Sequence, residues 1–494
     1  MTRHLQRLLA TAVFLIIADC ATAQPAGQAS ADTPAPATGW KIKFDESGSN
    51  PVIVAGVLYM GSADGAVYAL DPKTGETTWR FQTGESLSSA ASGPQVVTVP
   101  PGTSIADQMA AGMNAAEKQR GAGIRRVDMT PAVEGGMVFI GSGDQSFYAI
   151  DAATGKKKWS YVAGSGMASN NFTSYPVPAA VLKNGSVYFV TDDGLHALDS
   201  LTGERKWLFE TLQEIPIEQM NLRRKRTPSR PVVGDGALLL TAWPYIGGNT
   251  PSKSFVYAVD QDSGKAKWVT SVDGLDITAP TMAKELVFVA VEGRAPQTSP
   301  SNNVTLHAIN AAGGEVKWKF GAQKNYGTAE LLVSGDTIFF STDKSLLALE
   351  LETGRPLWTF SADEISRNLL ADEQHVYVVT HKRPMMGSKG TLHALALATG
   401  QEKWSRRLNA SIAIVKDGVL YADGGRLHAM DAATGKALWS FKGTGRESAR
   451  LISAGRIFLT SPTVSYIGTK QVDQGYFYAI NARTGKLNPS LRMK

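Results

Sequence analysis

The chain is nearly devoid of cysteine: Cys20 is the single thiol in 494 residues. One thiol excludes a disulfide framework and any cysteine-based metal or haem site, which need several at set spacings. Excess charge is also scarce, with 50 Lys+Arg against 44 Asp+Glu and a formal +6. That balance falls far short of a nucleic-acid-binding domain, and no basic run is interleaved with aromatics. No apolar run is long enough to span a bilayer; the longest, Leu8 to Ala18, is too short. Hydrophobic residues, at 43%, are not lacking, which excludes wholesale disorder.

The first residues read as an address. Arg3 and Arg7 precede the Leu8–Ala18 stretch, and Ala21-Thr22-Ala23 makes a small-x-small cleavage site. A secretory signal over 1–23 is therefore expected, with export to the periplasm or beyond. Ile17-Ala18-Asp19-Cys20 gives an alternative, lipidation at Cys20, though Asp19 fits such a motif poorly. Removal of 1–23 takes Arg3, Arg7 and Asp19, lowers the formal charge by one and leaves a thiol-free chain suited to an oxidising compartment. Residues 24–38 read as an extended Pro/Ala linker, and 39–494 as the folded domain.

One short pattern recurs nine times along that domain. Tyr68-Ala-Leu-Asp-Pro-Lys-Thr-Gly75, followed by Trp79, returns as Tyr148 to Gly155 with Trp159. Copies headed by His196, Tyr257, His307, Leu347, His393 and His428 carry Trp207, Trp268, Trp318, Trp358, Trp404 and Trp439. The last copy, Tyr478 to Gly485, reaches Asn488 where tryptophan is due. Each copy predicts a β-hairpin: a short apolar strand, an Asp/Asn-x-x-Thr-Gly turn with glycine at positive φ, and a second strand through the tryptophan. Two more strands lie upstream of each copy. Four strands in units of roughly 35–80 residues mark a β-propeller blade.

The missing tryptophan sets the topology. Gly39-Trp40-Lys-Ile-Lys-Phe44 looks like the outgoing half of a repeat whose turn is absent, and the last copy lacks that half. Joining the two ends completes one blade and removes two free edges. The fold expected is all-β, a single nine-bladed propeller closed by its N-terminal strand, with Trp40 in the same position as the other eight repeat tryptophans. An open solenoid is the alternative.

Ala-x-Asp-x-x-Thr-Gly-x-x-x-Trp resembles the PQQ-like repeat of propellers related to quinoprotein alcohol dehydrogenases, and equally that of the outer-membrane assembly lipoprotein of the BAM complex. The resemblance covers nearly the whole domain. It implies a propeller, usually of eight blades against the nine counted here, and either of two functions. One is a non-catalytic binding scaffold. The other is an alcohol dehydrogenase using pyrroloquinoline quinone and Ca²⁺. Those dehydrogenases typically place two adjacent cysteines beside the quinone, and this chain has no such pair. Cys-x-x-Cys-His, the covalent haem motif, is also absent.

Long insertions at 83–126, 162–174, 210–229, 243–254, 292–304, 381–390 and 461–476 all join second to third strands, or fourth strands to the next blade. Strand polarity puts every one on a single face, the usual seat of function on a scaffold. Arg125, Arg126, Arg223, Arg224, Lys225, Arg226, Lys382 and Arg383 make that face basic and are the candidate partner-binding residues. The partner expected is an envelope protein or an acidic glycan. Arg230 and Arg367 precede the innermost strands at matching places, with Arg450 one residue out of register. These three form a candidate anion site at the channel mouth, suited to carboxylates including a quinone's. No metal site is expected. His196, His307, His393 and His428 occupy the repeat's Tyr/Leu position and read as structural, which leaves His375 and His381 free. No Ser/His/Asp set stands in a supporting context.

Overall fold

The structure is a computed structural model. It describes residues 39–44, 48–84, 127, 129–163, 180–213, 228–243, 253–274, 276–293, 302–324, 329–366, 368–381, 390–408, 411–423, 425–443, 448–467 and 470–487. Among them there is no helix; strands make nine separate antiparallel sheets. The chain is a nine-bladed propeller. Blade 1 runs Val52–Val54, Val57–Gly61, Ala66–Leu70 and Thr77–Gln82 from first to fourth strand. In blades 5 and 7 the first strand is split, into Asp276–Ile277 with Thr281–Ala283 and Glu364–Ile365 with Leu370–Ala371. First strands of neighbouring blades approach one another, which makes them the innermost.

Strand position dictates residue pattern. Second strands pack against neighbouring blades on both faces, so Met137–Gly141 and Ala237–Ala242 are buried throughout. Fourth strands lie at the rim, and Lys157–Val162 buries little besides Trp159 and half of Tyr161. The core is therefore a series of layers between blades.

The repeat tryptophans join those layers. Trp79 of blade 1 donates from Nε1 to the Ala152 carbonyl in the turn of blade 2, at 2.9 Å. Its ring covers Gly155 of that turn, where an added Cβ would stand 2.7 Å from a ring carbon. Gly155 thus meets two demands, a φ of +70° and the absence of a side chain. The same contact passes from blade to blade, ending with Trp439 on the Ala482 carbonyl at 3.1 Å. In four blades a second-strand tyrosine donates to the same carbonyl as the tryptophan: Tyr59, Tyr188, Tyr377 and Tyr421.

The seam follows the same rule. Trp40–Phe44 pairs antiparallel with residues 475–479, from Trp40↔Ala479 to Phe44↔Gly475, and forms the fourth strand of blade 9. Trp40 is 3% exposed and donates to the Pro72 carbonyl of blade 1 at 3.0 Å. Nine tryptophans dock on nine turns, and the cycle has no gap.

Turn capping is less uniform than the repeat suggests. Asp71 Oδ1 accepts from the Lys73 and Thr74 amides, and Asn310 and Asn481 cap likewise. Blade 6 has Glu350 there, bonded to the Thr353 hydroxyl. Blade 7 has Ala396, which offers no side-chain cap. Its turn is held by backbone bonds, from the Gly400 N–H to the Ala396 carbonyl and from the Ala396 N–H to the Gln401 carbonyl, with the Thr399 hydroxyl accepting from the Gln401 amide.

Candidate functional site

Antiparallel order places the Thr-Gly turns and the first-to-second turns on one face, and both ends of every long insertion on the other. The 461–476 segment is not a loop. The strands Arg456–Ile467 and Lys470–Asn481 stay paired from Ser461↔Tyr476 out to Ile467↔Lys470, so blade 9 extends as a hairpin from the elaborated face.

That face opens onto the central channel through a repeated clip. The Ser49 amide donates to the Gly61 carbonyl at 2.9 Å, and its hydroxyl accepts from the Gly61 amide at 2.9 Å. Ser229 binds both groups of Thr241 in the same way, and Thr278 both groups of Ala290. Proline follows two residues later in each case, at Pro51, Pro231 and Pro280. This Ser/Thr-x-Pro clip holds the middle residue at the mouth: Asn50, Arg230 or Ala279. It escaped the repeat search because it lies upstream of the Thr-Gly turn; the three Ser/Thr-x-Pro triplets were the signal that could have found it.

Arg230 is half-buried, has no acidic partner among the described residues, and burial pulls its guanidinium below the ordinary arginine value. Arg450 occupies a register shift between Ala449 and Leu451, which explains its offset in the sequence. Its Nε donates to Thr460 Oγ1 at 3.1 Å. It keeps accessible surface yet is lowered by desolvation, with Asp423 acting oppositely, as a side chain in a recess would be. The two arginines share one end of the channel but stand in blades 4 and 9, on opposite sides of the ring. Arg367, Arg125, Arg126, Arg223, Arg224, Lys225, Arg226, Lys382 and Arg383 lie outside the described residues.

Other ionisable groups are engaged in structure. Asp64 Oδ1 accepts from the Ala66 amide and Oδ2 from the Tyr68 hydroxyl, at 2.9 and 2.6 Å. Burial pushes Asp64 up, but those bonds carry its pKa below the usual carboxylate value. Burial holds His196 and His307 down at about 4. His196 Nε2 meets Thr191 Oγ1 at 2.9 Å, and the ring stacks on Phe189 at 5.0 Å. His393 lies between Thr380 Oγ1 and Glu402 Oε2 at 2.9 and 2.6 Å. The two histidines expected to be free are not. His375 is buried beside Asp372 Oδ1 at 3.3 Å, and His381 Nε2 meets Ser366 Oγ at 2.7 Å.

Among the described residues no three His, Cys, Asp or Glu side chains converge. They supply two arginines that an anion could approach, and no cluster of three acidic side chains of the kind that often contributes to a Ca²⁺ site. Nor is any described helix long and apolar enough to cross a membrane.

Known proteins match parts of this chain. A segment of the outer membrane protein assembly factor BamB of Nitrosomonas eutropha is 33% identical over 128 residues, 25% of this chain and 30% of that protein. The dehydrogenase subunit of the quinone alcohol dehydrogenase of Gluconacetobacter polyoxogenes is 29% identical over 295 residues, 54% of this chain and 37% of that protein. The matches thus span about a third of the length of each of these relatives. The crystal structure of BamB from Moraxella catarrhalis, 15% identical, covers 82% of this chain and 97% of that one with a TM-score of 0.45. The family model described as outer membrane protein assembly factor BamB matches residues 29–245, 302–407 and 348–491, well over half of the sequence, and the chain belongs to that family of repeat propellers.

Proposed function

We propose that this protein is an exported, non-catalytic docking platform whose elaborated face engages an acidic protein of the bacterial envelope. The observation that carries this reading is the segregation of insertions: seven long excursions on one face and tight turns on the other. Random loop growth would populate both faces. The relatives' printed role, assembly of outer membrane proteins, gives the setting in which such a partner would be met. The signal over 1–23, the linker over 24–38 and the basic segments at Arg125–Arg126, Arg223–Arg226 and Lys382–Arg383 complete the proposal from the sequence side. Reversing all four charges of Arg223–Arg226 in the full chain is expected to weaken capture of the partner from an envelope extract. Unchanged capture would remove that segment from the site.

A second reading, a quinone-dependent alcohol dehydrogenase, draws on Arg230 and Arg450 at the channel mouth and on the quinone dehydrogenase relative. Arg367 would be its third cation. Loading the purified protein with pyrroloquinoline quinone and Ca²⁺ and following dye reduction with a panel of alcohols separates the two. Saturable, Ca²⁺-dependent turnover would reject the platform; its absence at any loading is the expected result.

A further inference from the structure

Every blade of a propeller ends in a free strand, and nine such rims invite unwanted strand pairing. Seven of the nine outermost strands here carry Lys or Arg within the strand. The residue before the tryptophan is lysine in five blades: Lys158, Lys206, Lys267, Lys317 and Lys403. In blades 6 and 8 it is leucine, and both Leu357 and Leu438 are exposed. The strand of blade 6, Pro356–Ser361, begins with a proline, itself a guard on an edge. Ala437–Phe441 of blade 8 has neither charge nor proline. It is the last strand of its sheet, and its outward edge has no strand partner among the described residues. Leu438, at 51% exposure, stands on it.

We infer that this rim strand of blade 8 is a docking edge for an extended segment of another protein, added as a fifth strand, with a small or apolar centre and acidic residues at both ends. The charges flanking the edge select this occupant. Lys436 and Lys442 bracket Ala437–Phe441, and both are exposed. A second copy pairing antiparallel about Trp439 would set Lys436 against Lys442 twice over, placing like charges directly opposite each other. A strand with Asp or Glu at its ends would instead meet a lysine at each. The backbone ladder would provide affinity and the two lysines register, the usual division in strand addition. The site is on the rim, away from the elaborated face, so it does not depend on the function proposed above.

The test uses the full chain and a short synthetic peptide of alternating threonine and valine with aspartate at each end. Hydrogen exchange is followed at the amides of Ala437–Phe441. The peptide is expected to protect those amides, and added salt to reduce the protection. Leu438→Lys, which restores the guard found in the other blades, should weaken binding at least about tenfold. Leu357→Lys in blade 6 should leave it unchanged. Because Leu438 is exposed, the fold should survive, and the melting temperature of L438K checks this. The double variant Lys436→Glu, Lys442→Glu should reverse the preference toward a lysine-ended peptide. Equal binding of both peptides by the wild type, or protection unaffected by L438K, would overturn the inference. So would a concentration-dependent dimer abolished by L438K, which would make the occupant a second copy.

Discussion

The two faces of the ring were built under different rules. On the turn face, nine copies of one hairpin present nine glycines to nine tryptophans, and each contact crosses to the next blade. On the opposite face the connections range from the short turn at Asp192–Asp193 to the long segment between Gln82 and Ala132, and the clipped residue at the mouth changes from Asn50 to Arg230 to Ala279. The turn layer repeats one cohesive contact around the whole ring, in addition to the apolar layers between blades. Once that layer is fixed by repetition, the opposite face is free to vary without loss of fold.

Substitutions can break or sharpen that contrast. The largest effect should come from Trp40→Ala, which empties a buried site and loosens the seam. A loss of about 3–5 kcal/mol is expected in urea unfolding, despite the residue's place near the chain start. A melting temperature untouched by deletion of 24–45 would refute the closure. Gly155→Ala comes next: it adds both positive-φ strain and a clash with Trp79, and should cost about 2–4 kcal/mol. Gly425→Ala on the elaborated face has a similar φ of +79° but nothing within 4 Å of the new Cβ. It should cost only about 1–2 kcal/mol, and equal losses would show that the tryptophan ring does not discriminate.

Acidity probes the blade interior. His196 and His307 are held neutral by burial, with values near 4 against an ordinary 6.5. The unfolded chain therefore takes up protons first. Stability is complete above pH 6.5 and drains as pH falls toward 4, by up to about 3 kcal/mol per histidine. Replacing both by tyrosine, the residue of other repeats, should flatten the melting profile over that window. The smallest expected effect belongs to the segment proposed for docking. Charge reversal at Arg223–Arg226 should shift thermal stability by less than about 0.5 kcal/mol while altering capture.

Much of this was legible in one sequence because the repeats align with one another. The copies keep glycine and tryptophan even where the cap changes, as at Glu350 and Ala396, and a residue pair that outlasts its surroundings marks a shared contact. The tryptophan at position 40 without its turn, and the turn at 478–485 without its tryptophan, gave the closure. What the pattern did not reveal was that each tryptophan serves the following blade, since equal spacing is satisfied by contacts within a copy or between copies. The 461–476 hairpin was hidden for a different reason: its strands run far past the repeat length, and Pro462 and Gly475 read as loop residues. Arg230 and Arg450 were found by position, but the ring diameter that separates blades 4 and 9 has no trace in local sequence.

Pairing of Trp40–Phe44 with residues 475–479 has a consequence in time. The earliest-made strand of the fold waits for almost the last, so a chain still emerging from its ribosome cannot finish the toroid. Assembly is deferred until the whole polypeptide is delivered. Thereafter every blade is an interior blade, and new chain ends could be cut into any long connection once the present ones are linked.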